Sequence, residues 1–393
     1  MNYFCSSEAV SMGHPDKLCD LIADTILDAA LNNDVYSSVN VECLITYENL
    51  LLSGSLSTDH VRTNAHQITY DLLKKLGYKD KVAYFNYKSA TYHNKIKPFA
   101  SVLYQPYSIE KSKDTGSVYG YAVSETPELL PVSQVLASKI MQAYDHARKT
   151  DKDCLLGPDA NCLVTVEYEN NKLKAINSIR INAQHAQIDE LFEIREYVRT
   201  KILSRVLLKM NIFNEPKVYL NKTDEFVVGG PAASTGLTGR KLLYDTYGGY
   251  VPQASAMSGK DPNYTARSGT YLARFIAKHI VWAGLADKCQ VELTYVKDHT
   301  DPISFSLTTF GTAIIEDAII KKTIEESLDM SLSGIIARFG LKRKDDYSRS
   351  IQFADTAKYG HFMNQSFPWE AKNELFLKKI KRKCIDIKNT AIA

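Results

Sequence analysis

Near its amino end the chain carries Gly13-His14-Pro15-Asp16-Lys17, which packs an imidazole, a carboxylate and an ammonium ahead of an amphipathic run. Unsatisfied backbone N–H groups and the dipole at a helix start favour anions. Asp16 suits a hard cation such as Mg²⁺, with His14 and Lys17 turned toward phosphate oxygens. Taken alone, the same residues describe any helix that opens on Pro and Asp. Their weight comes from segments further along that answer them.

Gly229-Gly230-Pro231 is followed by Gly236-Leu237-Thr238-Gly239-Arg240-Lys241, a glycine-rich stretch ending in two cations. Its spacing is not that of a Walker A loop. Glycines let a backbone approach a polyphosphate closely, and Arg240 and Lys241 supply charge. A pair of tight turns would account for the glycines but not for the cations. Ser258-Gly259-Lys260-Asp261 is a second glycine–cation unit, and Lys113-Asp114-Thr115-Gly116 adds a loop carboxylate. No Ser-His-Asp or Cys-His set stands out, so acyl transfer is not indicated. The inventory is that of a polyphosphate site.

These groups need a scaffold, and the chain of 393 residues is long enough for two or three domains. Lys17–Asn33 has the helical period, and Val39, Val41, Cys43 and Ile45 alternate as a strand with Glu42 on its other face. Asn49–Leu56 follows as a strand, then a helix over Asp59–Leu76 stopped by Gly77. A second set has a hairpin, Leu163–Tyr168 and Leu173–Ile181, about Asn170-Asn171, then a long helix over Asp189–Met210. A third has a strand around Glu225–Val228, a helix over Ser268–Ala283, and strands at Cys289–Val296 and Ile303–Thr308. Three strand-rich blocks, 1–105, 106–229 and 230–393, predict an α+β protein with helices on one face of each sheet. The basic tail, Leu377 to Lys383, reads as a solvated helix face.

A net charge of +3, from 48 basic and 45 acidic residues, gives no field that would favour nucleic acid or membrane. Seven scattered cysteines without a CxxC pair argue against a disulfide framework or structural zinc. Met1–Val10 lacks the basic and apolar regions of a secretion signal. A cytoplasmic protein is the expectation.

The motifs now on the page resemble those of the methionine adenosyltransferase (S-adenosylmethionine synthetase) family. The resemblance runs from about Cys5 to Glu370, through Gly13–Lys17, Gly120-Tyr121-Ala122, Gly157-Pro158-Asp159-Ala160, Gly229–Pro231, Gly236–Lys241 and Asp245–Gly249. It continues through Ser258–Pro262, Ala283–Asp287, Tyr359–Phe362 and Phe367–Glu370. It implies three similar domains about a pseudo-threefold axis, in a homodimer or homotetramer with sites at the subunit interface. It implies ATP and a thioether amino acid as substrates: sulfur attacks C5′, triphosphate leaves and is then cleaved. A neutral sulfur needs no general base, so the burden falls on charges that stabilise the departing triphosphate. By the same resemblance His14, Lys260, Arg240 and Lys241 are catalytic. Asp159, Phe226, Lys17 and Ala256 belong to the nucleotide. Asp16 and Asp114 would hold Mg²⁺, Glu42 would hold K⁺, and Gln105 would meet the methionine carboxylate.

The chain also departs from the family pattern. Ser55 and Ser234 stand where the family has carboxylates that hold the substrate ammonium, and Phe305 replaces a smaller residue near the amino-acid pocket. Asn161 and Tyr264 replace lysines, and Ala266 replaces a metal-binding aspartate. Lys113 and Gln253-Ala254-Ser255 interrupt glycine-rich loops, while Asp224-Glu225 precedes Phe226. Two functions follow. Either the chain transfers adenosyl to methionine or an altered thioether, or it is a weakened paralogue that joins a fully equipped subunit in a hetero-oligomer.

Overall fold

Helix α1 (Pro15–Asn33) begins where Pro15 fixes the first helical residue and the His14 ring accepts the Asp16 amide at 3.2 Å. It starts two residues ahead of the expected position. The computed structural model describes residues 2–57, 64–78, 85–88, 90–98, 110–187, 191–221, 225–342, 344–345, 348–349 and 351–392. In chain order, the first unit is β1 (Asn2–Val10), α1, β2 (Val39–Ile45), β3 (Asn49–Leu56), α2 (Ala65–Lys75) and β4 (Thr91–Pro98). The second is β5 (Gly116–Val123), α3 (Val132–Thr150), β6 (Leu156–Glu169), β7 (Lys172–His185), the helical segments α4 (Leu191–Tyr197) and α5 (Ser204–Lys209), and β8 (Lys217–Leu220). The third is β9 (Gly236–Leu237), α6 (Leu242–Thr246), α7 (Thr265–Trp282), β10 (Lys288–Tyr295), β11 (Ser304–Thr308) and α8 (Asp317–Glu325). Helices α9 (Leu332–Phe339), α10 (Thr356–Tyr359) and α11 (Glu374–Ile392) complete it.

Each unit is thus a strand, a helix, an antiparallel strand pair and a further helix, and the first two end in a parallel edge strand. The first strand of each unit is lent to a neighbour. Strand β1 pairs with β6, β5 with β10, and β9 with β2, giving sheet orders β1-β6-β7-β8, β5-β10-β11 and β9-β2-β3-β4. Every lent strand is antiparallel to its host, and β4 and β8 close their sheets in parallel. The exchange is cyclic, so no sheet comes from one continuous stretch. The second unit has its own core, including Leu136, Ile140, Val164 and Ile181, while the first and third share a second core.

Several expected elements change in detail. Helix α2 starts at Ala65 because the Asn64 side chain accepts the Gln67 amide at 3.0 Å; Asp59 lies outside the described residues. Asn170 and Asn171, at φ of 51° and 63°, make the β6–β7 turn left-handed as a two-residue hairpin requires. The long helix expected to Met210 is broken by a π-helical segment, Val198–Leu203. There the Ser204 amide and hydroxyl both donate to the Arg199 carbonyl, five residues back. The strand expected around Glu225–Val228 does not form. That segment is held to the end of β7 by His185, whose amide donates to the Phe226 carbonyl at 3.0 Å and whose Nε2 accepts the Phe226 amide at 3.1 Å. Helix α11 bears the basic tail with Leu377, Ile380 and Cys384 buried, so only one face is solvated. No helix among the described residues is long and apolar enough to cross a membrane.

Helix α1 is buried almost throughout, and four aspartates recur on it at every fourth residue, Asp16, Asp20, Asp24 and Asp28. Each accepts a backbone amide from a different point of the chain: Leu237 at 3.1 Å, Gly239 at 2.8 Å, Gly259 at 2.8 Å, and Phe353 with Ala354 at 2.8 Å each. Asp24 also pairs at 2.5 Å with Arg267 of α7, both side chains being fully buried. Burial pushes the Asp20 carboxyl up to about 7 and Asp24 up to about 6, against the pull of Lys17 and Arg267 respectively. Asp24→Ala strands a buried guanidinium and should cost about 3–5 kcal/mol of stability. Asp28→Ala leaves two amides unpaired and should cost about 1–3 kcal/mol for each. Urea unfolding followed by circular dichroism checks both; a loss below 1 kcal/mol in either would show that the helix, not its aspartates, holds the loops.

Candidate active site

Strand β2 pairs along one edge with β3, and its other edge is completed by the two glycine–cation loops. Leu44 and Ile45 pair with β9, while Val41 N donates to the Gly259 carbonyl and Asp261 N to the Val39 carbonyl, each at 3.0 Å. Gly259 must be glycine: its φ is +76° and a Cβ would strike the Val41 carbonyl. Lys260 faces Asn40 across this edge. Leu237 of β9 pairs with Leu44, four residues or about 13 Å along β2 from Asn40 at the usual rise of a strand, and the turn after it carries Arg240 and Lys241. The loops are also packed on each other, since a Cβ at Gly239 would strike Ala256. One sheet edge thereby anchors both loops that carry these cations.

At the α1 end, Asp16 is 4% exposed and lies 3.4 Å from Arg240 Nη1 and 3.9 Å from Lys241 Nζ. Lys241 also reaches Glu8 of β1 at 3.4 Å. His14 sits among these charges. Burial, then Lys241, Lys17 and Arg240, lower its pKa to about 3, so the ring is neutral at ordinary pH. Nδ1 accepts the Asp16 amide, which leaves the proton on Nε2 as a hydrogen-bond donor. Lys17, expected at the phosphates, is 1% exposed instead and pairs with Asp245, so it braces α1 against α6 from within.

Other expected residues fall nearby. Asp159 is buried; its Oδ2 accepts the Gly230 amide at 2.8 Å and its Oδ1 has no hydrogen-bond partner among the described residues. Burial pushes this carboxyl up to about 7. Phe226 is half-buried on the loop that leads to Gly229-Gly230. Asn161, expected in place of a cation, is spent in an amide pair with Asn182 at 3.1 Å. Burial draws the Lys260 pKa down, opposed by Asp114 and Glu42. Lys113 and Lys260 each lie 5.6 Å from the centre of the Tyr264 ring.

The amino-acid side is less compact. Ser234 lines a hollow of about 310 Å³ with Thr46, Tyr47, Glu48 and Asn49. Ser55 lies opposite Asn40, at the far end of β3 from Asn49. Six residues of strand put about 20 Å between the two ends. Phe305 is on β11 under the Lys321 ammonium, 5.7 Å from its ring centre. Gln105 lies outside the described residues.

Metal-binding fitness differs among the expected ligands. Asp16 has Oδ1 on the Leu237 amide at 3.1 Å and facing Arg240, and offers Oδ2, 3.9 Å from Lys241, to an ion that takes its other ligands from phosphate and water. Glu42 is exposed on β2 opposite Ser53. Asp114 is not arranged as a ligand: Oδ1 accepts Thr265 N at 2.8 Å and Thr265 Oγ1 at 2.7 Å, and Oδ2 accepts Ala266 N at 3.1 Å. It caps α7. Among the described residues no group of three or more His, Cys, Asp or Glu could hold a metal ion.

Asp20, Asp24, Asp28, Glu48 and Asp245 were not anticipated as parts of the site. The aspartates had a visible signal, since polar residues every fourth position on a buried helix demand partners. Glu48 had none, because a turn residue shows its neighbours only after folding.

Three family models match the chain in order. They describe the N-terminal, central and C-terminal domains of S-adenosylmethionine synthetase and cover residues 2–100, 110–226 and 228–371. The S-adenosylmethionine synthase of Mycoplasma mycoides subsp. mycoides is 35% identical over 384 residues, 96% of this chain and 97% of that protein. That of Mycoplasma capricolum subsp. capricolum is 34% identical over the same shares. That of Salinibacter ruber is 35% identical over 377 residues, 94% of this chain and 96% of that protein.

A neutral His14 should be visible directly. In ¹⁵N spectra of the ligand-free chain its ring should stay neutral, with the proton on Nε2, from pH 8 down to about pH 5, whereas an unperturbed imidazole titrates near 6.5. A midpoint at 6 or above for His14 would mean that its ring is not held among the cations.

Proposed function

The chain belongs to the S-adenosylmethionine synthetase family, and from that premise we propose that it transfers the adenosyl group of ATP to the sulfur of methionine and cleaves the departing triphosphate. The observation that carries this reading is that the loops bearing Lys260 and bearing Arg240 and Lys241 are both anchored on one edge of β2, with Arg240 and Lys241 beside Asp16 and neutral His14. A thioether sulfur donates its lone pair to C5′; the S–C bond forms, the C5′–O bond breaks, and its electron pair leaves on the triphosphate. No proton moves in that step. Fixed cations stabilise the negative charge that develops on the leaving oxygens, and His14 Nε2–H adds a donor that cannot lose its proton to them. The orphan Oδ1 of Asp159 would accept from a hydroxyl of the nucleoside, and Phe226 would stack on its base. Mg²⁺ would be held by Asp16 with phosphate oxygens, and K⁺ by Glu42; when bound they add to the charge that offsets triphosphate.

Methionine itself is the substrate this reading favours. Ser234 lacks a carboxylate, but Glu48 lines the same hollow and would meet an ammonium there. Ser55 lies about 20 Å from that hollow along β3. One amino acid could touch both only if they came from two copies, so the active assembly is at least a dimer. The replacements at Asn161 and Ala266 favour the other reading, a partner subunit completed by a paralogue.

The deciding experiment uses the purified chain with ATP, methionine, Mg²⁺ and K⁺. A sulfonium product by mass is expected, from a particle of dimer size or larger by light scattering. Nucleotide binding without product would make the partner-subunit reading the better one. Glu48→Gln should raise the KM for methionine about tenfold, the equivalent of 1.4 kcal/mol, while ATP affinity stays unchanged. An unaltered KM would place the ammonium elsewhere.

A further inference from the structure

Apart from exposed Glu42 on β2, the carboxylates around Lys260 are already committed to the protein. Asp114 has both oxygens on the first turn of α7, and Ser112 Oγ adds a further contact at 3.1 Å to Oδ1. Asp261 is buried and accepts Val39 N at 2.7 Å, Asn263 N at 2.9 Å and the Lys113 ammonium at 2.7 Å. Glu110 is taken by Lys342 at 2.7 Å and by Asn263. Residue 266, whose amide binds Asp114, carries only a methyl group. A divalent ion placed between Asp114, Asp261 and Glu110 would find every one of these carboxylates already accepting from protein donors.

In its place stands an ammonium. Lys113 is fixed by Asp261, by Ser38 Oγ at 2.6 Å and by the Tyr264 ring, whose centre lies 5.6 Å from Lys113 and equally from Lys260. Lys113 cancels the Asp261 charge one residue from Lys260, so that Lys260 can act on a ligand undiminished. Tyr264 braces both side chains. We propose that Lys113 does here the work of a metal ion, so that the nucleotide is held with one divalent cation per site, the one at Asp16. This rests on the reading of Lys260 as a polyphosphate ligand.

Equilibrium dialysis tests it, with the full chain, the β,γ-imido analogue of ATP and Mn²⁺. The protein-free chamber holds the same nucleotide, so only protein-associated metal and nucleotide are counted. The expected ratio is one Mn²⁺ per bound nucleotide; a ratio near two, or near zero, overturns the proposal. The double substitution Lys113→Gly with Ala266→Asp should raise the ratio to two. A ratio of one there, with nucleotide still bound, would show that Lys113 does not stand in for an ion and would also overturn it. Lys113→Met should weaken nucleotide binding about tenfold and make it depend more steeply on Mn²⁺; unchanged binding in this single variant would again count against the proposal. If native chain binds no nucleotide at all, the reading of Lys260 fails, and this inference fails with it.

Discussion

A row of four buried aspartates on α1 is the constraint on which the rest of the structure depends. Carboxylates in a helix interior are costly unless each is met by donors. Here the donors are amides of loops that are otherwise far apart in sequence, at Leu237, Gly239, Gly259 and Phe353-Ala354. One rigid helix therefore sets the positions of both glycine–cation loops. The glycines are needed because the loops approach helix and strand backbone so closely. The aspartate nearest the helix start, Asp16, is the one left beside the cations, where a ligand would sit.

The second constraint is the exchange of strands. Strand β9 belongs by sequence to the third unit but completes the sheet of the first, so the turn that follows it brings Arg240 and Lys241 to Asp16. The Gly259–Asp261 segment takes the remaining length of that edge. The loops that bear these cations thus start from sheet edges rather than from free chain. The burial that makes this possible also keeps His14 neutral. A protonated His14 would repel Lys241, Lys17 and Arg240, while a neutral one serves as a donor among them.

The residues that depart from the family pattern are not simply missing functions. Tyr264, which stands where the family pattern expects a lysine, lies 5.6 Å from two ammonium groups, while Asp114, which matches that pattern, caps α7. Glu48 brings a carboxylate to the hollow of Ser234. Asn161 is different: its amide is paired with Asn182 and offers no charge.

Much of this was legible in the chain itself. Alternation in Val39–Ile45, the Asn170-Asn171 turn and the period of α1 each state local geometry, because side-chain direction follows from backbone type within a few residues. The glycine–cation loops and the HPDK run were legible as a polyphosphate inventory for the same reason: they are contiguous. The expected strand at Glu225–Val228 failed because a histidine side chain on β7 competes for the backbone that a ladder would have used. Lys17 was misplaced because its charge said nothing of which buried carboxylate, Asp245, would claim it. Residue types and local periods by themselves determined the α+β class, the hairpins, the helices and the chemistry on offer. Only the tertiary structure decided which sheet each first strand would join, which aspartate would hold which loop, and which lysines would face a ligand rather than a carboxylate. Those choices rest on contacts between residues more than 150 positions apart, as between Val10 and Asn161 or between Asp24 and Arg267, and no local rule reaches that far.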